Sequence, residues 1–127
     1  LCAREAAAHM IENAVEDGCI INMSSVAAAG NFGQTNYSAA KSGMAAQSRV
    51  WAKELGRYGI RSMTVAPGII MTDMLRSMPA ERREGMAEMV PVQRVGEVAH
   101  IAQTVIHILE NDYLSGTVIE VSGGLKL

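Results

Sequence analysis

Apolar residues along this chain fall into short continuous runs and into longer stretches where they recur at helical spacing. The short runs are bounded by turn-forming residues, which predicts buried strands at 19–23, 60–66 and 117–121. The longer stretches predict helices over 1–15, 36–58 and 97–110. A helical segment over 73–90 is irregular because Pro79 interrupts it. The small, glycine-containing residues 24–35 predict a loop.

Helices and strands therefore alternate along the chain. This order predicts an α/β fold with a parallel sheet and right-handed crossovers. About three strands with flanking helices are few for a doubly wound sheet, and no glycine-rich turn precedes the first strand. The chain also begins with Leu1 rather than Met, which indicates a processed, engineered or incomplete sequence. We interpret residues 1–127 as a single partial domain.

Composition narrows the classes of protein to which the chain can belong. Hydrophobic residues make up 49% of the chain, enough for a core, and its net charge of −2 with scattered Lys and Arg argues against a nucleic-acid partner. No apolar stretch reaches the roughly 18 residues of a membrane-spanning helix, and no signal peptide is recognisable. Cys2 and Cys19 are isolated, which predicts reduced thiols in a cytoplasmic protein. The histidines lack the spacing of a metal site, so we expect no metal.

Tyr37 and Lys41 are four positions apart within the predicted helix 36–58, so they lie on one helix face. A phenol held beside an ammonium ion has its phenolate favoured, and its pKa falls toward working pH. Such a pair could exchange a proton with a carbonyl or alcohol oxygen. Taken alone, the spacing is more typical of a surface pair in which the lysine is solvated.

Polar and turn residues follow two of the predicted strands. Ser24 and Ser25 end the first strand, and Pro67 and Gly68 follow the second. The carboxyl ends of parallel strands meet at one edge of a sheet, where ligands bind in α/β proteins. We therefore expect these residues to border one site, although each also suits an ordinary loop or turn.

Together these motifs resemble those of the classical short-chain dehydrogenases/reductases, and most closely the β-ketoacyl reductases that act on acyl-carrier-protein or CoA thioesters. The resemblance covers nearly the whole chain and is carried by residues 20–25, 30–41, 65–68, 72, 114–117 and 121–124. It implies a Rossmann-like doubly wound parallel sheet, of which this chain is the carboxyl-terminal part. The amino-terminal half that cradles the dinucleotide pyrophosphate in this family has no counterpart here.

By this resemblance Tyr37 is the catalytic acid/base, and Lys41 assists it and binds the nicotinamide ribose. A serine polarises the substrate carbonyl. The family's position at the strand end selects Ser25, whereas its usual distance from the tyrosine selects Ser24. We favour Ser25, because the strand register fixes side-chain direction while a loop can absorb a deletion.

The resemblance also assigns a second cofactor-contacting segment, which follows the second strand. It implies that Pro67, Gly68, Ile70 and Thr72 contact the nicotinamide carboxamide and the pyrophosphate. The cofactor is then NAD or NADP, and the residues that choose between them belong to the absent half. The methionines between 71 and 89 fall where this family places a substrate lid, and short-helix packing explains them equally well.

The implied function is NAD(P)(H)-dependent reduction of a carbonyl to an alcohol, with a 3-oxoacyl thioester as the first substrate. Other ketones, steroids or sugar alcohols are alternatives, as is a non-catalytic remnant that reuses the fold. We expect the 127-residue chain alone to be inactive. For the complete enzyme we expect a homodimer or homotetramer paired through helices 1–15 and 36–58, and no nucleic-acid or membrane partner.

Overall fold

The computed structural model describes residues 1–127 as alternating helices and strands. In chain order these are α1 (Cys2–Glu12), β1 (Gly18–Met23), the 3₁₀ helix η1 (Val26–Ala29), α2 (Thr35–Leu55), the 3₁₀ turn η2 (Gly56–Tyr58), β2 (Ile60–Pro67), β3 (Ile70–Met71), α3 (Asp73–Arg76), α4 (Ala80–Glu88), β4 (Gly96–Glu97), α5 (Val98–Glu110) and β5 (Val118–Val121). Every helix and strand predicted from the sequence is present, and most differ only at their ends.

Strands β1, β2 and β5 form a three-stranded parallel sheet in the spatial order β1-β2-β5. β1 pairs with β2 from Gly18 opposite Ile60 to Met23 opposite Val65. β2 in turn pairs with β5, and this ladder ends with Pro67 opposite Val121. The predicted α/β class with a parallel sheet is therefore confirmed. Because all three strands run the same way, their carboxyl ends meet at one edge, which we call the rim.

The two faces of this sheet are covered in different ways. On one face Met63, Val65 and Ile108 are fully buried and join β2 to α5 in an apolar cluster. The other face meets α2, where the hydroxyls of Ser48 and Ser62 lie 2.9 Å apart in a buried hydrogen bond. Apolar burial therefore helps to hold α5, and a buried polar contact helps to hold α2.

Arg61 is a buried charged residue, only 8% exposed, at the amino-terminal end of β2. Its Nε donates to Asp17 Oδ1 at 3.0 Å. The rest of the guanidinium donates to main-chain carbonyls at the end of α5 and just beyond, those of Ile108 at 2.9 Å, Leu114 at 3.2 Å, and Leu109 and Asn111 at 3.4 Å. One side chain thus satisfies carbonyls that a helix end leaves unpaired, and its charge suits the negative end of the helix dipole.

Two features of the chain were not predicted. Residues 26–29, within the predicted loop, form η1, and Ser25 caps its amino-terminal end. The two-residue strands β3 and β4 pair with each other in parallel, Ile70 opposite Gly96. A two-residue strand has no periodicity to detect, and its pairing depends on close packing, since a Cβ on Gly96 would lie 2.6 Å from Ile70 Cδ1. No helix is long and apolar enough to cross a membrane.

Candidate active site

Tyr37 and Lys41 both lie in the first two turns of α2, beside the rim. The Lys41 ammonium nitrogen is 5.7 Å from the centre of the Tyr37 ring. Tyr37 is 43% exposed, so its hydroxyl is open to a ligand. The structure therefore brings the two predicted residues together on one helix face.

The ammonium of Lys41 is anchored to the end of β1. Its Nζ donates to the main-chain carbonyl of Met23 at 2.7 Å. An ammonium has three donors, so this bond leaves others for ligand hydroxyls. Sequence reasoning missed Met23 because a main-chain acceptor leaves no side-chain signal.

The two serines at the end of β1 have different surroundings. Ser24 is buried, and its hydroxyl donates to the main-chain carbonyl of Lys41 at 2.8 Å. Ser25 is half-buried, and its oxygen accepts from the amide of Ala27 at 3.1 Å as the cap of η1. A hydroxyl has one proton to donate, and that of Ser24 is committed while that of Ser25 is free. This arrangement favours Ser25 as the donor to a substrate oxygen.

Pro67 and Gly68 lie at the carboxyl end of β2, against the end of β5. The amide of Gly68 donates to the carbonyl of Val121 at 2.9 Å. A Cβ on Gly68 would lie 2.8 Å from the Cα of Ser122, so this position has no room for a side chain. Close packing of two strand ends is therefore a sufficient reason for a glycine here, independent of any ligand.

Ile70 and Thr72 follow along the same segment. Ile70 lines a cavity of about 440 Å³ between α5, β5 and the β3–β4 ladder, which neither Tyr37 nor Lys41 lines. Thr72 caps α3, and its Oγ1 accepts from the amide of Leu75 at 3.4 Å. Its hydroxyl proton remains available to a ligand.

The donors at the rim fit part of a nicotinamide dinucleotide. Lys41, Tyr37 and Thr72 offer N–H and O–H groups of the kind that ribose hydroxyls, an amide or a phosphate accept. Nowhere do three or more His, Cys, Asp or Glu side chains gather as metal ligands would.

Comparisons with known proteins agree on one family. A family model described as enoyl-(acyl carrier protein) reductase matches residues 1–126. The (3R)-3-hydroxyacyl-CoA dehydrogenase of Rattus norvegicus is 39% identical over 124 residues, which cover 95% of this chain and 48% of the relative. A 3-oxoacyl-[acyl-carrier-protein] reductase FabG of Haemophilus influenzae is 44% identical over 113 residues, which cover 87% of this chain and 47% of the relative.

A solved structure agrees with these sequence relatives. The crystal structure of a 3-oxoacyl-[acyl-carrier protein] reductase from Brucella melitensis superposes with a TM-score of 0.89 at 30% identity. The match covers 99% of this chain and 48% of that chain. The chain thus spans about half the length of the relatives that it matches.

Proposed function

Since the chain belongs to the short-chain dehydrogenase/reductase family, we propose that it is part of an enzyme that reduces a carbonyl to an alcohol. The observation that carries this proposal is the Tyr37–Lys41 pair, with Nζ 5.7 Å from the ring centre, beside the strand-end serines. The active protein then includes an amino-terminal half in addition to residues 1–127. We call that whole the complete protein.

Each residue of the site has a distinct role in this reaction. Residues at the rim would hold NADH or NADPH, which when bound would supply a hydride to the carbonyl carbon. Tyr37 gives its phenolic proton to the carbonyl oxygen and is left as a phenolate, which the nearby Lys41 ammonium stabilises. Ser25 donates a hydrogen bond to the same oxygen and so favours the negative charge that develops there.

The residues that would hold the nicotinamide half of the cofactor lie along the rim. Lys41 and Tyr37 would bind the ribose. The segment from Pro67 and Gly68 to Ile70 and Thr72 would offer main-chain groups and one hydroxyl to the carboxamide and pyrophosphate. The observation that supports this is the free hydroxyl proton of Thr72, whose oxygen already accepts the cap bond of α3.

A 3-oxoacyl thioester is the proposed substrate. The support is the names of the relatives, which include 3-oxoacyl-[acyl-carrier-protein] reductases and (3R)-3-hydroxyacyl-CoA dehydrogenases. An apolar acyl chain would also suit the exposed methionines of the segment after Thr72, of which Met74 is 73% exposed. Because the matching family model carries an enoyl reductase description, an enoyl thioester belongs in the same assay.

The test follows oxidation of NADH and of NADPH by the complete protein, with a 3-oxoacyl thioester, an enoyl thioester and a plain ketone as substrates. We expect turnover of the oxoacyl thioester. Tyr37→Phe should lower kcat by about 10²–10⁴-fold, the usual contribution of a general acid, while most cofactor affinity is retained because Lys41 still binds the ribose. Retained turnover in Tyr37→Phe would refute the role given to Tyr37. Failure of the wild-type protein with every pair of cofactor and substrate would favour a non-catalytic role for the fold.

The 127-residue chain alone is proposed to be inactive. Strand β1 pairs only with β2, so its other edge offers unpaired amides and carbonyls. No residue of α1 is buried, and only Ser48 of α2 is. These uncovered surfaces suit an amino-terminal half beside β1, and a second subunit against the helices in a homodimer or homotetramer. Isothermal titration of the isolated chain with NADH and NADPH should give no tight binding; a micromolar Kd would contradict this proposal.

A further inference from the structure

Ser24 directly follows β1 and forms hydrogen bonds to both β2 and α2. Its amide donates to the carbonyl of Val65 at 2.7 Å, which ties it to β2. Its hydroxyl donates to the main-chain carbonyl of Lys41 at 2.8 Å, which ties it to α2. We propose that Ser24 is a positioning residue that sets the place of Lys41, and through it of Tyr37, relative to Ser25. This inference rests on the proposed function.

Lys41 is held at both of its ends by two consecutive residues of the strand end. Ser24 binds its main-chain carbonyl, and the carbonyl of Met23 accepts from its Nζ at 2.7 Å. The two bonds and the intervening chain close a ring between β1 and one turn of α2. In the adjacent position the hydroxyl of Ser42 donates to the carbonyl of Ala28 and so ties η1 to the same turn.

This ring fixes a distance that the proposed chemistry depends on. Ser25 follows Ser24 directly, and Tyr37 lies one helical turn before Lys41 on the same face. A carbonyl oxygen must accept hydrogen bonds from Ser25 and Tyr37 at the same time. A displacement of about 1 Å between two reacting groups can cost on the order of 100-fold in rate. The bond from Ser24 to α2, together with those of Lys41 and Ser42, therefore helps to bring both donors to one oxygen.

Folding alone does not require the Ser24 hydroxyl. As in any α-helix, the carbonyl of Lys41 also accepts from the amide four residues later. Removing the Ser24 hydroxyl therefore leaves no main-chain group of α2 unpaired. The amide of Ser24 keeps its bond to Val65 in an alanine variant. A function in positioning explains a second bond to a carbonyl that is already satisfied.

Ser48 provides a matched control within the same helix. It is 1% exposed, and its hydroxyl also bonds α2 to the sheet, through Ser62 at 2.9 Å. It lies seven residues beyond Lys41, two turns away from the site. Ser48→Ala removes a buried serine bond between α2 and β2 without touching the ring that joins α2 to the end of β1. A purely structural role for Ser24 predicts equal effects of the two substitutions.

The kinetic test compares Ser24→Ala, Ser24→Thr and Ser48→Ala in the complete protein under saturating cofactor. We expect Ser24→Ala to lower kcat about tenfold with the KM of the thioester nearly unchanged, because binding groups stay while the reacting groups lose alignment. Ser24→Thr should recover most of this loss, and Ser48→Ala should stay within about twofold of wild type. Equal losses in both alanine variants would overturn the inference. So would a loss in Ser24→Ala as deep as that of Tyr37→Phe, since Ser24 would then contact the substrate itself.

A second readout does not need turnover. Mass spectrometry can follow acetylation of Lys41 by acetic anhydride, with the exposed Lys53 as an internal reference. Ser24→Ala should speed modification of Lys41 several-fold by loosening its bond to Met23, and Ser48→Ala should not. An unchanged rate in Ser24→Ala would refute the positioning role. If the wild-type protein reduces no carbonyl, the proposed function fails, and the acetylation rates still decide whether Ser24 holds Lys41.

Discussion

Replacing Arg61 with methionine is expected to lower the free energy of unfolding by about 3 kcal/mol. The guanidinium is buried and donates to Asp17 and to carbonyls at and beyond the end of α5. Methionine fills much of the same volume without a donor. The substitution therefore removes the cap of α5 while it leaves the apolar packing of β2 largely intact.

The magnitude follows from the contacts one by one. Hydrogen bonds from a charged donor contribute about 1.5–3 kcal/mol each, and those to Ile108 and Leu114 are the two shortest to carbonyls, at 2.9 and 3.2 Å. A cation at a partly buried helix end adds up to about 2 kcal/mol. The ion pair with Asp17 adds less than about 1 kcal/mol, because the Asp17 side chain is 56% exposed. Methionine also removes the cost of burying a charge, which is several kcal/mol, and this gain offsets part of the sum.

Urea unfolding of the complete protein, followed by far-ultraviolet circular dichroism, measures the effect. We expect the midpoint of Arg61→Met to fall by about 1 M or more. Arg61→Lys should fall in between, since it keeps the charge but loses the fork of donors. Arg57→Met is the matched control, because Arg57 only stacks over the Tyr58 ring, 4.8 Å from its centre. Equal midpoints for Arg61→Met and Arg57→Met would refute the capping role.

Three further predictions concern the rim and the two thiols. Gly68→Ala should destabilise the complete protein by about 1–3 kcal/mol in thermal unfolding and lower its activity, because the new Cβ would press on the main chain of Ser122 at 2.8 Å. Burial raises the pKa of the Cys19 thiol, so at pH 8 iodoacetamide should alkylate the exposed Cys2 first, as peptide mapping would show. Because the pKa of Cys19 is higher in the folded state, its contribution to stability is present in full below its unfolded pKa. This contribution is lost as the pH rises through the higher folded pKa, and Cys19→Ala should abolish this pH dependence. Thr72→Val should cost about 0.5–1 kcal/mol as a lost helix cap and should also weaken NADH or NADPH binding by calorimetry.

The fold was predictable where burial imposes a pattern on the sequence. The runs at 19–23 and 60–66 became β1 and β2, and the 97–110 pattern became α5, because each element covers the same apolar cluster. Pro79 separates the segment after Thr72 into α3 and α4, because proline has no main-chain N–H to donate within a helix. The β3–β4 ladder and η1 were not predicted, since they depend on contacts between residues far apart or on a single cap.

The proximity of Tyr37 and Lys41 was predictable from the sequence, whereas the hydrogen bonds around them were not. Tyr37 and Lys41 needed only a spacing on one helix. Choosing between Ser24 and Ser25 requires the hydrogen-bond partners of their two hydroxyls. These partners differ because the two side chains face different elements, and the sequence does not reveal that difference. The hydrogen bond from Lys41 to Met23 could not be predicted, because its acceptor is a main-chain carbonyl.

The hydrogen bonds between α2 and the end of β1 bear on the acid/base role proposed for Tyr37 and Lys41. Apolar burial is non-directional and sets no hydrogen-bond geometry of its own. Hydrogen bonds are directional, and the first two turns of α2 are tied to the end of β1 through Ser24 and Lys41 at 2.7–2.8 Å. A proton donor that must meet one substrate oxygen needs that kind of fixed register. We therefore expect the bonds at the end of β1 to set the position of Tyr37.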